Sequence, residues 1–212
     1  MERFEGKAMQ LMEYKKAAEL LKRYKIGSID SRSVTSAEQA IAFAGGGKIV
    51  MKVLSDKALH KSKAGLVKVG LQDKSEIGNA FRELEAKGKK YSPFKVLAQK
   101  MAKPGIEVIV GGRKDAQFGN LVLIGLGGIY VETFRDFALR VCPISKFDAE
   151  EMIGQLKSRK VITYNGKLDG ALVSLLLRVS KLLTENDFAE LDLNPVILRE
   201  DGYDVVDIRV LS

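Results

Sequence analysis

The C-terminal segment constrains the fold more than any other part of the chain. From Glu190 onward, the polar residues Glu190, Asp192 and Asn194 alternate with Leu191 and Leu193, the period of a strand with one wet and one dry face. A second run of this kind, 203–210, follows Glu200-Asp201-Gly202, and an Asp-Gly pair favours a tight hairpin turn that brings Asp207 near Asn194. Two such strands cannot bury their apolar faces alone. They need further strands beside them and a second layer against them.

The upstream sequence supplies both. Apolar spacing at Leu11, Tyr14, Ala18 and Leu21 predicts a first helix over about 6–24, ended near Gly27. Thr35 and Glu38 have capping-box spacing and open a second helix, which Gly45-Gly46-Gly47 stops. Asp73 and Glu76 open a third, with Ile77, Phe81 and Leu84 facing inward. Strands are predicted over 49–54, 94–101, 106–111, 120–124 and 138–143, with 113–119 as a hairpin loop. Two more helices are predicted over about 148–158 and 169–184. Helices and strands alternate first and antiparallel strands cluster later, which predicts an α+β protein of two lobes with a ligand cleft between them. The expected lobes are about 27–98 and about 99–212, with the N-terminal helix 6–24 packed alongside.

Composition excludes several classes. With 46% hydrophobic and 29% charged residues in 212, the chain is a globular protein and not a disordered one. No apolar run approaches the length of a membrane span, and the charged start lacks the apolar core of a signal peptide. The single cysteine, Cys142, allows no internal disulfide, so a reducing cytoplasm is expected. The net charge of +8 is spread from end to end without aromatic interleaving, which points to an anionic small molecule and away from nucleic acid.

Several residues carry possible chemistry. Lys52 lies within the predicted strand Ile-Val-Met-Lys-Val-Leu, where it either meets an anion or faces solvent, since strand alternation permits both. His60 is the only histidine, in Leu-His-Lys-Ser-Lys-Ala-Gly. Its imidazole could hold a phosphoryl group between two transfers, or it could be a lone surface histidine. Gly65 and its small neighbours suit a loop whose amides cradle phosphates, and Gly125-Leu126-Gly127-Gly128 is such a loop or a flexible turn. Asp192, Asn194 and Asp207 offer oxygen ligands for a hard cation such as Mg²⁺, or simply a solvated strand face.

Taken in order, Val-Met-Lys-Val, Leu-His-Lys-Ser-Lys-Ala-Gly-Leu-Val, Gln99-Lys100-Met101, Ile-Glu-Val-Ile-Val-Gly, Gly-Leu-Gly-Gly-Ile-Tyr-Val-Glu and Glu-Leu-Asp-Leu-Asn-Pro resemble the ATP-grasp domain of NDP-forming acyl-CoA synthetases. ADP-forming acetyl-CoA synthetases are the nearer branch and succinyl-CoA synthetase β chains the more distant one. The resemblance spans about residues 8–210 and implies an ATP-grasp fold with ATP or ADP and Mg²⁺ bound between the lobes. It implies nucleotide-phosphate contacts for Lys52, with Ser62, Lys63 and Gly65 of the histidine loop nearby. Gln99, Lys100 and Met101 correspond to the adenine-lining hinge, and Glu107 to the acidic residue on the ribose hydroxyls. Asn194 and Asp207 correspond to the magnesium ligands, assisted by Asp192. Arg209 corresponds to a basic residue at the transferring phosphoryl, and His60 to the histidine of the phosphoryl relay.

What the resemblance implies for the whole enzyme is an ADP-forming acid–CoA ligase. This chain would be its β subunit, and a separate CoA-binding α subunit would carry the acyl chemistry. The histidine loop departs from the family's His-Lys-Ser-Asp-Val-Gly-Gly-Val, having Leu66 where a second glycine is usual. Another ATP-grasp carboxylate ligase, or a regulatory nucleotide-binding subunit, are the alternative readings.

Overall fold

In the computed structural model, residues 3–4, 7–8, 10–58, 64–128 and 136–212 are described. The chain divides into two compact units, residues 29–102 and residues 1–28 with 103–212.

The smaller unit is an antiparallel four-stranded sheet with two helices. Its strands are β3 (Ser31–Val34), β4 (Ile49–Leu54), β5 (Val67–Leu71) and β6 (Lys95–Lys100), in the order β3-β6-β4-β5. Helices α2 (Ala37–Ala44) and α3 (Lys74–Gly88) bury Phe43, Ile77, Phe81 and Leu84 against Ile49, Met51, Val53, Val96 and Ala98. The α3 start matches its sequence signal, with Glu76 accepting from the Asp73 N–H at 3.3 Å. The α2 cap is shifted by one residue from the Thr35–Glu38 expectation. Ser36 is the extended N-cap and accepts from the Gln39 N–H, while Gln39 Oε1 accepts from the Thr35 N–H at 2.9 Å. Gly45 ends this helix in the left-handed region, at φ 56°.

The larger unit holds a six-stranded antiparallel sheet. Strands β7 (Ile106–Asp115), β8 (Gly119–Leu126), β9 (Phe137–Val141), β10 (Glu190–Arg199) and β11 (Gly202–Val205) run in the order β11-β10-β7-β8-β9. Strand β12 (Ile208–Leu211) also pairs with β10. Helices α1 (Tyr14–Arg23), α4 (Lys146–Gln155), α5 (Arg159–Ile162) and α6 (Asp169–Glu185) complete the unit. Leu20, Leu21, Met152, Leu172 and Leu176 share one core with Val108, Val110, Val122, Ile124, Leu191 and Leu193.

Three elements depart from expectation. The first helix begins at Tyr14, not near residue 6, because residues 10–12 are extended against the C-terminus. Gln10 N–H donates to the Ser212 carbonyl at 2.8 Å and Met12 N–H to the Val210 carbonyl at 2.9 Å. Upstream of them, β1 (Arg3–Phe4) and β2 (Lys7–Ala8) pair with each other. Strand pairing across the chain ends has overridden a helical apolar spacing. The segment 113–119 is mostly strand, since β7 and β8 pair as far as Asp115 and Gly119. The final strand is interrupted at residues 206–207, which separates β11 from β12.

Candidate functional site

Strand register sorts the side chains of the larger sheet into two faces, because directly paired residues point the same way. One row runs Ile208–Leu193–Val110–Ile124–Ala138 across β12, β10, β7, β8 and β9. All five are buried, and the α6 residue Leu183 lies over Gly112 on this face. The adjacent row, one residue along each strand, runs Arg209–Asp192–Gly111–Leu123–Leu139 on the face turned away from α6. At about 4.8 Å per strand, the row extends about 19 Å. It is charged at the β10–β12 end and apolar at β9. Sequence reading missed Gly111 as a member of this row. A Cβ there would lie 2.4 Å from the Leu191 carbonyl oxygen, so the position tolerates no side chain.

Asn194 sits where β10 breaks register. Leu193 pairs with Val110 and Val196 with Val108, so Asn194 and Pro195 together oppose the one residue Ile109, a β-bulge. On the other edge of β10, Val206 and Asp207 form the gap between β11 and β12. The two irregularities are joined: the Asn194 N–H donates to the Asp207 carbonyl at 3.3 Å and the Val206 N–H to the Pro195 carbonyl at 3.0 Å. Asp207 Oδ1 accepts from the Ile208 N–H at 3.1 Å. Asp207 is thus in the gap between the two strand assignments and not at mid-strand as expected, although the register to β10 runs on unchanged from Val196–Val205 to Leu193–Ile208.

Asn194 is exposed, and Asp192 and Asp207 are half-buried. Two carboxylates and an amide give an all-oxygen donor set, which fits Mg²⁺ retaining water and phosphate oxygens. Among the described residues no group of three His, Cys, Asp or Glu side chains gathers as a protein-only metal cage. Arg209 Nη1 lies 3.8 Å from Glu190 Oε1, with both side chains 44% exposed. An ion pair this exposed is worth about 0–1 kcal/mol, so it holds Arg209 only loosely.

Glu107 lies near the start of β7, exposed, beside the Gly125–Gly128 segment. The Gly127 N–H donates to the Glu107 carbonyl at 2.9 Å. These glycines are demanded by chain approach. A Cβ at Gly125 would lie 2.9 Å from the Asp136 carbonyl oxygen, and one at Gly127 would lie 2.8 Å from the Glu107 carbonyl carbon.

In the smaller unit, Lys52 pairs with Leu97 and Val67, on the sheet face opposite the Met51 and Ala98 face that packs on α2 and α3. Lys52 is nonetheless only 4% exposed and Gln99 1%. Burial removes the solvent-facing alternative for Lys52. The Lys100 ammonium donates to the carbonyls of Phe43 at 2.7 Å and Ala44 at 3.0 Å, a cation against the C-terminus of α2. The Lys100 N–H donates to the Asp30 carbonyl and the Met101 N–H to the Lys48 carbonyl.

His60, Ser62 and Lys63 lie outside the described residues. Gly65 has φ +65°, and the Lys87 ammonium donates to its carbonyl at 3.4 Å. Lys87 is held in turn by Glu83, at 2.9 Å from Oε1, and Lys68 lies 2.7 Å from the other oxygen. Hydrogen bonds from Lys68 and then Lys87 hold the Glu83 carboxyl down at about 2. Leu66, the family's usual glycine position, is fully buried, and its carbonyl accepts from the Val53 N–H at 3.0 Å.

Residues 5–211 match the ATP-grasp domain family. The β subunit of ADP-forming acetate–CoA ligase I from Pyrococcus furiosus is 36% identical over 206 residues, covering 92% of this chain and 89% of that one. ADP-forming acetate–CoA ligase I of Archaeoglobus fulgidus is 38% identical over 190 residues, 85% of this chain but 27% of that longer protein. Among solved structures, acetyl-coenzyme A synthetase 1 of Candidatus Korarchaeum cryptofilum superimposes with a TM-score of 0.81 at 36% identity, covering 95% of this chain and 92% of that one. That crystal holds coenzyme A and Mg-AMPPCP, with its phosphohistidine segment pointing towards the nucleotide binding site. The chain has the ATP-grasp fold and belongs to the ATP-grasp family, among the homologues of the β subunits of ADP-forming acetyl-CoA synthetases.

Proposed function

We propose that this chain is the nucleotide-binding β subunit of an ADP-forming acyl-CoA synthetase, moving a phosphoryl group between ATP or ADP and His60. The near-complete mutual coverage with the Pyrococcus β subunit carries the reading. The grouping of Asp192, Asn194, Asp207 and Arg209 around one bulge of β10 supports it.

In the ATP direction, an imidazole nitrogen of neutral His60 attacks the γ-phosphorus. The N–P bond forms, the bond from the γ-phosphorus to the bridging oxygen breaks, and ADP leaves with that electron pair. Bound Mg²⁺ would neutralise phosphate charge, held by Asn194 and Asp207 with Asp192 assisting. Lys52 binds phosphate oxygens from its buried strand position, and Arg209 offsets charge on the transferring group. Glu107 accepts from the ribose hydroxyls. The Lys100 and Met101 N–H groups are already committed, so the 99–101 segment serves the base through its carbonyls. Phosphorylated His60 then passes the group to a partner.

The Archaeoglobus relative contains the counterpart of this chain as a minor part of a longer polypeptide. A separate CoA-binding α subunit supplying the remainder fits that arrangement. The acyl group is chosen on that partner, in the cytoplasm. Among the described residues no helix is long and apolar enough to cross a membrane.

The direct test is calorimetric titration of the chain with ADP and ATP, with and without magnesium, alone and with a CoA-binding subunit. Magnesium-dependent binding is expected. Absence of binding in both settings refutes the reading.

A further inference from the structure

Glu107 and the glycine pair at the end of β8 meet in a way that the reaction chemistry does not by itself require. Gly127 presses on the Glu107 backbone: a Cβ there would lie within 2.9 Å of the Glu107 carbonyl carbon and oxygen and the Val108 nitrogen. Gly128 presses on the side chain instead. Its φ is +74°, and a Cβ there would lie 3.1 Å from Glu107 Oε2 and 3.9 Å from Cδ, with no other atom of the described residues beyond its chain neighbours within 4 Å. The first contact is with backbone that cannot move. The second is with the free end of a flexible side chain, which would yield.

We propose that Gly128 is a positioning residue: by lacking a side chain it leaves the space in which the Glu107 carboxylate sits, and so sets recognition of the ribose hydroxyls. The inference rests on the reading of Glu107 as the ribose ligand. A carboxylate has two acceptor oxygens, one for each hydroxyl of a vicinal diol, but only while both oxygens face the diol. A group at 128 tilts Oε2 away and spoils one of the two bonds while the fold stays intact. Gly127 keeps the strand ends close, whereas Gly128 keeps the carboxylate aimed.

The test compares affinities of the full chain for Mg-ADP and Mg-2′-deoxy-ADP. A hydrogen bond to a charged acceptor predicts that the wild type prefers ADP by on the order of tenfold. Gly128→Asn keeps a residue type that tolerates positive φ and should shrink the preference to about twofold or less, by weakening ADP alone. Gly128→Ala, with the smaller intrusion, should shrink it part of the way. Gly119→Ala is the control, since Gly119 has φ +75° but no atom of the described residues beyond its chain neighbours within 4 Å of its Cβ position. It carries the same backbone strain and should keep the full preference.

A Gly128→Asn protein that melts cooperatively and retains the wild-type preference overturns the inference. If Glu107→Ala loses the preference while both Gly128 variants keep it, Glu107 remains the ribose ligand and only the role of Gly128 falls. A wild type that binds both nucleotides equally, or neither, removes Glu107 and Gly128 together.

Discussion

The Asn194 N–H donates to the Asp207 carbonyl at 3.3 Å, so the bulge in β10 and the gap between β11 and β12 are a single irregularity. The register of β10 to its C-terminal partners is unchanged across the gap, with Leu193 facing Ile208 and Val196 facing Val205, so Asn194 and Asp207 lie directly opposite each other. The bulge of β10 against β7 falls at this same pair, so an amide and a carboxylate residue stand side by side where the sheet stops being regular, two residues along from Asp192 and Arg209.

Removing a metal ligand should therefore separate metal-dependent from metal-independent binding. Asp207→Ala is expected to lower magnesium-dependent ADP affinity by at least about tenfold, with little change in the weak binding seen in chelator. Calorimetry with and without magnesium checks it, and unchanged affinity refutes the assignment.

Lys52 is buried on a strand, where an ammonium is expensive unless it meets an anion. Lys52→Met preserves the length of the side chain and removes the charge. It should cut ATP and ADP affinity by on the order of tenfold while the protein still melts cooperatively. Nucleotide affinity equal to wild type would return Lys52 to a purely structural role.

His60 should matter for transfer and not for binding. His60→Ala is expected to keep ADP affinity within about twofold and to eliminate net acyl-CoA turnover with the partner subunit. Turnover at the wild-type rate rules out an obligatory relay.

The Glu83 clamp beside Gly65 predicts a pH signature. Its folded pKa, about 2, lies below the 4.5 of a free glutamate. Its contribution to stability is therefore present above pH 4.5 and lost as pH falls towards 2. Both lysines are partly exposed, so salt should shrink the effect. Melting temperature followed from pH 5 to 2 should fall more steeply in the wild type than in Glu83→Gln at low salt. Parallel curves would show that the clamp adds nothing.

Local signals were legible in the sequence where one short stretch settles a conformation. Asp73 and Glu76 open α3, Gly45 ends α2, and 49–54 forms β4 as expected. The Ser145–Asp148 box at the start of α4 was equally local, yet the helix was placed to begin at 148. Of the site, the polar period of Glu190, Asp192 and Asn194 was visible, as was the family resemblance of Lys52, Glu107 and Arg209. Residues 10–12 were misread because their extended state depends on hydrogen bonds to residues 210–212, far along the chain.

The sequence by itself determined several helices and strands, which strand face is polar, and to which family the chain is similar, because period, capping and turn chemistry act within a few residues. Tertiary structure alone decided that Gly111, Asp192 and Arg209 stand in one row, that Asn194 and Asp207 share one irregularity, that Lys52 is buried, and that Gly128 lies against the Glu107 carboxylate. Register and close approach are set by hydrogen bonds and packing between segments distant in sequence, and no local pattern encodes which residue of one strand will face which residue of the next.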